Sequence, residues 1–196
     1  MCYTQNRFKA LLSACVLSLI ATAGWSQQPS LRWLGTLPGG GSSEAYGVSA
    51  DGAVVVGMAS NAARQWRAFR WTASGGMQNL GTLGGDWSLA RGVSADGAVV
   101  VGWAYNAAGQ RLAFRWTASG GMQNLGTLGG YYSYASDVSA DGAVVVGGAN
   151  NAAGPERAFR WENGVMQDLG TLDGGGWHGR PEPHLCPPAD QRLGAN

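Results

Sequence analysis

Three carboxylates recur at one interval. Asp51, Asp96 and Asp141 stand 45 residues apart, each inside the same run Val-Ser-Ala-Asp-Gly-Ala-Val-Val-Val-Gly, at residues 48–57, 93–102 and 138–147. Acids repeated in this way could line a channel and supply the acid and base that cleave a polysaccharide, or could gather oxygen ligands for calcium. Only one carboxylate is present per run, whereas a calcium loop needs several oxygens at close spacing. Asp followed by Gly between apolar runs is first a turn signal, the carboxylate bonding to its own backbone. That structural reading is the one the sequence favours.

Other constellations are weaker. His178, His184 and Cys186 match none of the common zinc frameworks and lack a fourth ligand. Four prolines among residues 181–188 exclude a strand or helix to hold them. Both histidines of the chain lie in that tail, so the repeats offer no Ser-His-Asp set. The pairs Gly75-Gly76, Gly84-Gly85 and Gly129-Gly130 have no helix after them and punctuate turns; they are not a phosphate cradle. Neither a metal nor an organic cofactor is expected. Arg70, Arg115 and Arg160 each sit between Phe and Trp. They could form a basic stripe for an anionic glycan, but stacking of each on its neighbouring Trp is the favoured reading.

The elements that position these residues belong to a repeat. Leu-Gly-Thr-Leu begins at residues 34, 80, 125 and 169, and a period near 45 marks a repeat architecture. In the second copy a short strand ends at Ser94. A two-residue hairpin with positive φ at both Asp96 and Gly97 follows. The run 98–102 is apolar on both parities and suits a strand covered on both faces. Residues 112–118 form a third strand, with Phe114 and Trp116 on one face, and 122–128 a fourth. Four short antiparallel strands per 45 residues are the content of a β-propeller blade. A parallel β-helix fits less well, because the Asp-Gly hairpin would interrupt its winding. The predicted fold is therefore all-β: a repeat array of four-stranded antiparallel sheets, propeller-like and incomplete. Its copies fall at about 34–79, 80–124 and 125–168, followed by a partial unit to residue 177. Residues 34–37 are expected to be a lone fourth strand ahead of the first complete copy. Three blades fall short of the four to eight that close a ring.

Composition agrees. Glycine contributes 33 of 196 residues, well above the usual share of about 7%. Charged residues make up 13% and hydrophobic ones 45%, so the chain is not compositionally disordered. Residues 1–26 read as a secretory signal: Arg7 and Lys9 precede a largely apolar run at 10–24. That run is shorter than the roughly 20 residues a spanning helix needs. Ala21-Thr22-Ala23 has the form of a cleavage site, with cleavage after Ser26 as the rival. Leu12-Ser13-Ala14-Cys15 only superficially matches a lipidation site, because the apolar run continues past Cys15. Removing the signal leaves eleven arginines against twelve acids, a formal charge of −1, and one cysteine, Cys186. Nucleic-acid binding and an intrachain disulfide are both excluded on that balance.

The unit resembles the HAF family of extracellular bacterial repeats, named for a His-Ala-Phe motif. Here the motif stands as Arg67-Ala68-Phe69-Arg70-Trp71, Leu112-Ala113-Phe114-Arg115-Trp116 and Arg157-Ala158-Phe159-Arg160-Trp161, with Gly76-Met77-Gln78-Asn79-Leu80-Gly81-Thr82-Leu83-Gly84-Gly85 downstream of the first. The resemblance covers residues 34–177. The family's His is replaced by Arg67, Leu112 and Arg157, so no role of that His carries over. What the resemblance implies is export, a β-rich array, and a place outside or on the surface of a bacterial cell, with longer relatives joined to an autotransporter barrel or a sorting signal.

Two functions follow from different classes. One is an exported, non-catalytic module, in the periplasm, secreted or at the cell surface, that binds an extracellular protein or glycan and can self-associate through open strand edges. The alternative is a fragment of a propeller-type hydrolase or lyase. A catalytic blade would break the symmetry with its own acid or base, whereas these copies differ in aromatic and small polar residues. The non-catalytic reading is therefore preferred. The expected ligand-contact loops lie at the end of the sheets opposite the Asp-Gly turns and carry Tyr46, Trp66, Trp87, Tyr105, Tyr131, Tyr132 and Tyr134. Loss of the pattern after Trp177 is read as truncation or frameshift of a longer array, with residues 178–196 a disordered tail.

Overall fold

The computed structural model describes residues 31–171. The expected signal sequence, the Cys/His tail and the partial last unit beyond residue 171 lie outside the described residues. Leu31 and Arg32 belong to one unit of the chain, and all the strands to a second that begins at Trp33.

Twelve strands form three four-stranded sheets, each an antiparallel meander in chain order. Blade 1 contains β1 (Ser43–Val48), β2 (Val54–Ser60), β3 (Trp66–Thr72) and β4 (Gly76–Asn79). Blade 2 contains β5 (Gly84–Val93), β6 (Val99–Asn106), β7 (Arg111–Thr117) and β8 (Gly121–Asn124). Blade 3 contains β9 (Gly129–Val138), β10 (Val145–Asn151), β11 (Glu156–Glu162) and β12 (Val165–Asp168). No helix is present among the described residues, and none there is long and apolar enough to cross a membrane.

The Val runs make the second strand of each blade the middle of a sandwich, because branched side chains leave both strand faces apolar. Each sheet has a leading face toward the following blade and a trailing face toward the preceding one. Val54, Val56, Ala68 and Leu80 on the leading side of blade 1 pack on Ala90, Val100, Ala104, Phe114 and Trp116 of blade 2. Val99, Val101, Ala113 and Leu125 repeat this against Ala135, Val145, Ala149 and Phe159 of blade 3. Phe69, Phe114 and Phe159 are buried almost completely.

The turns differ from the expected two-residue hairpins. In blade 1 Ser49 N–H donates to Val54 O at 2.9 Å, and Gly52 N–H to Ser49 O at 2.9 Å. The loop thus holds four residues, and φ is positive at Gly52 (73°) but not at Asp51. Asp51 Oδ1 accepts both the Ser49 hydroxyl at 2.6 Å and the Ala53 N–H at 2.9 Å. Asp96 and Asp141 do the same in their own turns. The Ser-to-Asp bond holds the wider loop, which the Asp-Gly pair alone did not reveal.

The Leu-Gly-Thr-Leu segments are connectors, and strands four end before them, at Asn79, Asn124 and Asp168. Leu80 N–H donates to Ala68 O, Leu125 N–H to Ala113 O and Leu169 N–H to Ala158 O, so each Leu rides on the third strand of its own blade. Residues 34–37 are likewise not a strand: among the described residues no third strand precedes them for pairing. Leu37 is instead buried beside Ala59, Phe69 and Trp71, with Leu34 against the same cluster.

Candidate functional site

Strand β6 places Trp103 and Tyr105 two residues apart on the leading face of blade 2. The register opposes Tyr105 to Arg111 and Trp103 to Ala113, so the Arg111 side chain rises on the same face. The β6–β7 loop is fixed by Asn106, whose Oδ1 accepts the N–H groups of Ala108 and Gln110 at 3.0 and 2.9 Å. Trp87 comes from β5 in an irregular stretch where the register shifts between Gly84 and Ser88. Its ring lies 5.8 Å from that of Trp103 and 6.4 Å from that of Tyr105, and Trp103 meets Tyr105 edge-on at 5.8 Å. Such tilted pairs suit the quadrupoles of the rings.

Blade 3 contributes the other half. Tyr132 and Tyr134 of β9 pack at 5.7 Å. The Arg111 guanidinium carbon sits 4.1 Å from the Tyr132 ring centre, 5.0 Å from Trp103 and 5.5 Å from Tyr134. One cation is therefore surrounded by three rings drawn from two blades. Burial pushes the Arg111 pKa down, against the pull of Tyr105, Tyr134 and Glu156. Tyr134 donates its hydroxyl to Glu156 Oε1 at 2.8 Å, and this bond is the main reason its phenol is held above the usual range. Tyr134 and Glu156 close over Gly148 beside a pocket of about 580 Å³ on the leading face of blade 3.

Of the seven aromatics expected on loops, all lie within strands. The bulged first strands of blades 2 and 3 run longer than the sequence suggested and carry four of them, at 87, 131, 132 and 134. Four of the seven meet in the cluster: Trp87, Tyr105, Tyr132 and Tyr134. Tyr131 stands outside it, 69% exposed. Trp66 opens β3 at the position that Arg111 holds in blade 2 and is likewise separate. Tyr46 lies on β1, donates to the Glu44 carboxylate and has its phenol pKa raised mainly by that bond. Trp103 is the residue that sequence reasoning missed. It interrupts an otherwise uniform strand, where the other copies carry Met58 and Gly148, and that break was the available signal.

The arginines of the third strands are also corrected. Arg70 Nε donates to Gly97 O at 3.0 Å, and Arg115 Nε and Nη2 reach Gly142 O at 3.4 Å. Arg160 instead pairs with Glu162 at 2.9 Å. Arg70 and Arg115 therefore tie each blade to the turn of the next and form no stripe for a ligand. The turn carboxylates are engaged as well: the Ser hydroxyl and then a backbone N–H hold Asp51, Asp96 and Asp141 below the usual carboxylate range. Among the described residues no three His, Cys, Asp or Glu side chains gather as a metal site.

No protein-family description matches the chain, and no curated protein matches it in sequence. Solved structures do. A TolB from Agrobacterium tumefaciens superposes with a TM-score of 0.50 at 14% identity, over 70% of this chain and 51% of that one. TolB from Acinetobacter baumannii gives 0.49 at 18% identity, over 65% of this chain and 32% of that one. The chain thus spans about half or less of the structures it resembles. The likeness to the Agrobacterium structure establishes the propeller-like arrangement of the three sheets and nothing about activity.

Proposed function

We propose that this chain is an exported, non-catalytic β-repeat module that binds an extracellular glycan through the aromatic surface around Arg111. The observation that carries the reading is the gathering of Trp103, Tyr132 and Tyr134 about one guanidinium across two blades, with Trp87 and Tyr105 packed on Trp103. Trp87 remains 38% exposed, and Tyr131, next to Tyr132 along β9, 69%. Flat rings open to solvent stack on the C–H faces of sugars, while tyrosine hydroxyls and arginine N–H groups meet their hydroxyls. A rigid two-blade support keeps such rings ordered before a ligand arrives. The absence of catalysis is supported by the engagement of each turn carboxylate within its own turn. Export rests on the character of residues 1–26, and a place outside the cytoplasm is also what the resemblance to HAF repeats implies.

The test is glycan-array and protein-overlay binding with a Trp87→Ser, Tyr131→Ser variant. Both side chains are exposed, so the circular dichroism and melting of the parent should be kept while glycan binding falls at least about tenfold. Binding unchanged in the folded variant would refute the assignment. Retention of protein binding alone would redirect it to a protein ligand.

A further inference from the structure

Each blade junction is built from the same parts, and the two ends of the array carry its unmatched halves. On the leading side, Val56 and Val101 are fully buried by the next blade, but the equivalent Val146 is 39% exposed. Leu80 and Leu125 are buried, whereas Leu169 is 54% exposed, and Ala158 is open where Ala68 and Ala113 are sealed. On the trailing side of blade 1, Ala59, Phe69 and Trp71 are covered by Leu34 and Leu37, the seat that the connectors fill at the inner junctions. Among the described residues no valines or alanine of a preceding blade join that cluster.

The polar bonds at the junctions split the same way. Ala68 N–H donates to Ser88 Oγ and Ala113 N–H to Ser133 Oγ, both at 2.9 Å. Those serines in turn donate to Gly81 O and Gly126 O. Ser43 of blade 1 is already set in the same pose, donating to Gly35 O at 2.8 Å, with no N–H donor to its Oγ from another blade among the described residues. Ala50 N–H donates to Ala95 O, and Ala95 N–H to Ala140 O, a chain that can be extended at either end. A Cβ on Gly97 or Gly142 would strike Val54 or Val99 of the preceding blade, yet Gly52 has nothing within 4 Å. Arg160, without a turn to clamp, folds onto Glu162.

We propose that two copies of this chain join head to tail, the leading face of blade 3 of each seated on the trailing side of blade 1 of the other. Two such contacts make one closed ring of six blades. The occupant follows from counting as well as from chemistry. The three described blades are too few to close, six fall within the four to eight that do, and nine exceed them. A heterologous contact that closes on itself stops at a defined size. In the joint, Ala140 N–H meets Ala50 O, Ala158 N–H meets Ser43 Oγ, Arg160 meets the Gly52 carbonyl, and Val146 is covered. Two connectors compete there for one seat. Residues 34–37 already occupy it, so Leu169 of the other copy moves aside.

The experiment is analytical ultracentrifugation of the full chain. A mass twice that of one chain is expected, falling to the monomer in Val146→Glu with a loss of affinity of at least about a hundredfold, because a buried carboxylate without a partner is costly. Val146 is partly exposed in the single chain, so circular dichroism and melting of the dissociated variant should stay native. As a second arm, Ala50→Cys and Ala140→Cys are combined in a background with Cys2, Cys15 and Cys186 changed to Ser. Oxidation should give a disulfide-linked dimer, and neither single variant should. A monomer at all concentrations, an open series of larger species, or a dimer that Val146→Glu leaves intact would overturn the proposal.

Discussion

Arg70 Nε donates to the carbonyl of Gly97 at 3.0 Å, joining the third strand of one blade to the turn of the next. The carbonyl belongs to a residue with φ of 71°, a conformation glycine adopts at no steric cost. Arg70→Met keeps most of the apolar stem and removes the donor. A loss of about 1–2 kcal/mol is expected in urea unfolding. In the single chain Arg160→Met breaks only a surface ion pair with over a third of each side chain exposed, and its cost, measured in the dissociated Val146→Glu background, should stay below about 1 kcal/mol. Equal costs for the two variants would show that the clamp contributes nothing.

Ser88 is fully buried and serves two backbone groups, accepting from Ala68 N–H and donating to Gly81 O. Ser88→Ala leaves both without a partner. Each orphaned buried group costs about 1–3 kcal/mol, so chemical denaturation should register roughly 2–4 kcal/mol. In the dissociated Val146→Glu background Ser43→Ala loses one bond only, that to Gly35 O, and its cost should be near 1 kcal/mol.

Gly102 lies where the bulged first strand presses its backbone inward, and a Cβ there would stand 2.0 Å from Leu89 O. Gly102→Ala must part β5 from β6, so a loss above about 4 kcal/mol or outright failure to fold is expected. Gly109→Ala provides the contrast. Its φ is 76° with nothing within 4 Å, so only left-handed strain of about 1–2 kcal/mol applies. Thermal melting of the pair separates crowding from strain.

The three turn aspartates make the protein sensitive to acid. The hydroxyl of Ser94 and the N–H of Ala98 favour ionised Asp96, lowering its folded pKa below the ordinary 3.8. A depressed carboxylate pKa gives stability that is complete above the unfolded value and lost as pH falls through the folded one. Melting temperature should therefore drop between about pH 5 and pH 2. Asp96→Asn should lower it at neutral pH and flatten that decline, and an unchanged acid profile would refute the link.

Legibility from sequence followed the range of the interactions. The Val runs, the Asp-Gly pairs and the Phe-Arg-Trp spacing encode strands and turns within one copy, and three four-stranded sheets stand where that periodicity indicated. What was hidden depends on a neighbouring copy. Arg70 looked like a partner for Trp71, because its acceptor Gly97 is distant in sequence. Residues 34–37 matched the connectors letter for letter, yet with no blade ahead of them among the described residues the same letters cap a core. In the candidate site, Trp87, Tyr105, Tyr132 and Tyr134 were visible as departures from the repeat. Their placement on strands was not, since it follows from the pairing of β5 and β9 past their bulges.

The connectors have one last consequence. Leu80 and Leu125 hang on the third strand of one blade while packing into the core shared with the next, so the backbone itself crosses every junction. A cut or insertion between sheets would damage two cores at once. Duplication or deletion of a whole period brings or removes one leading face, one trailing face, one serine and one turn carbonyl together. The array can therefore grow or shrink in steps of about 45 residues, as nearest-neighbour stacking allows, without creating a surface that lacks its mate.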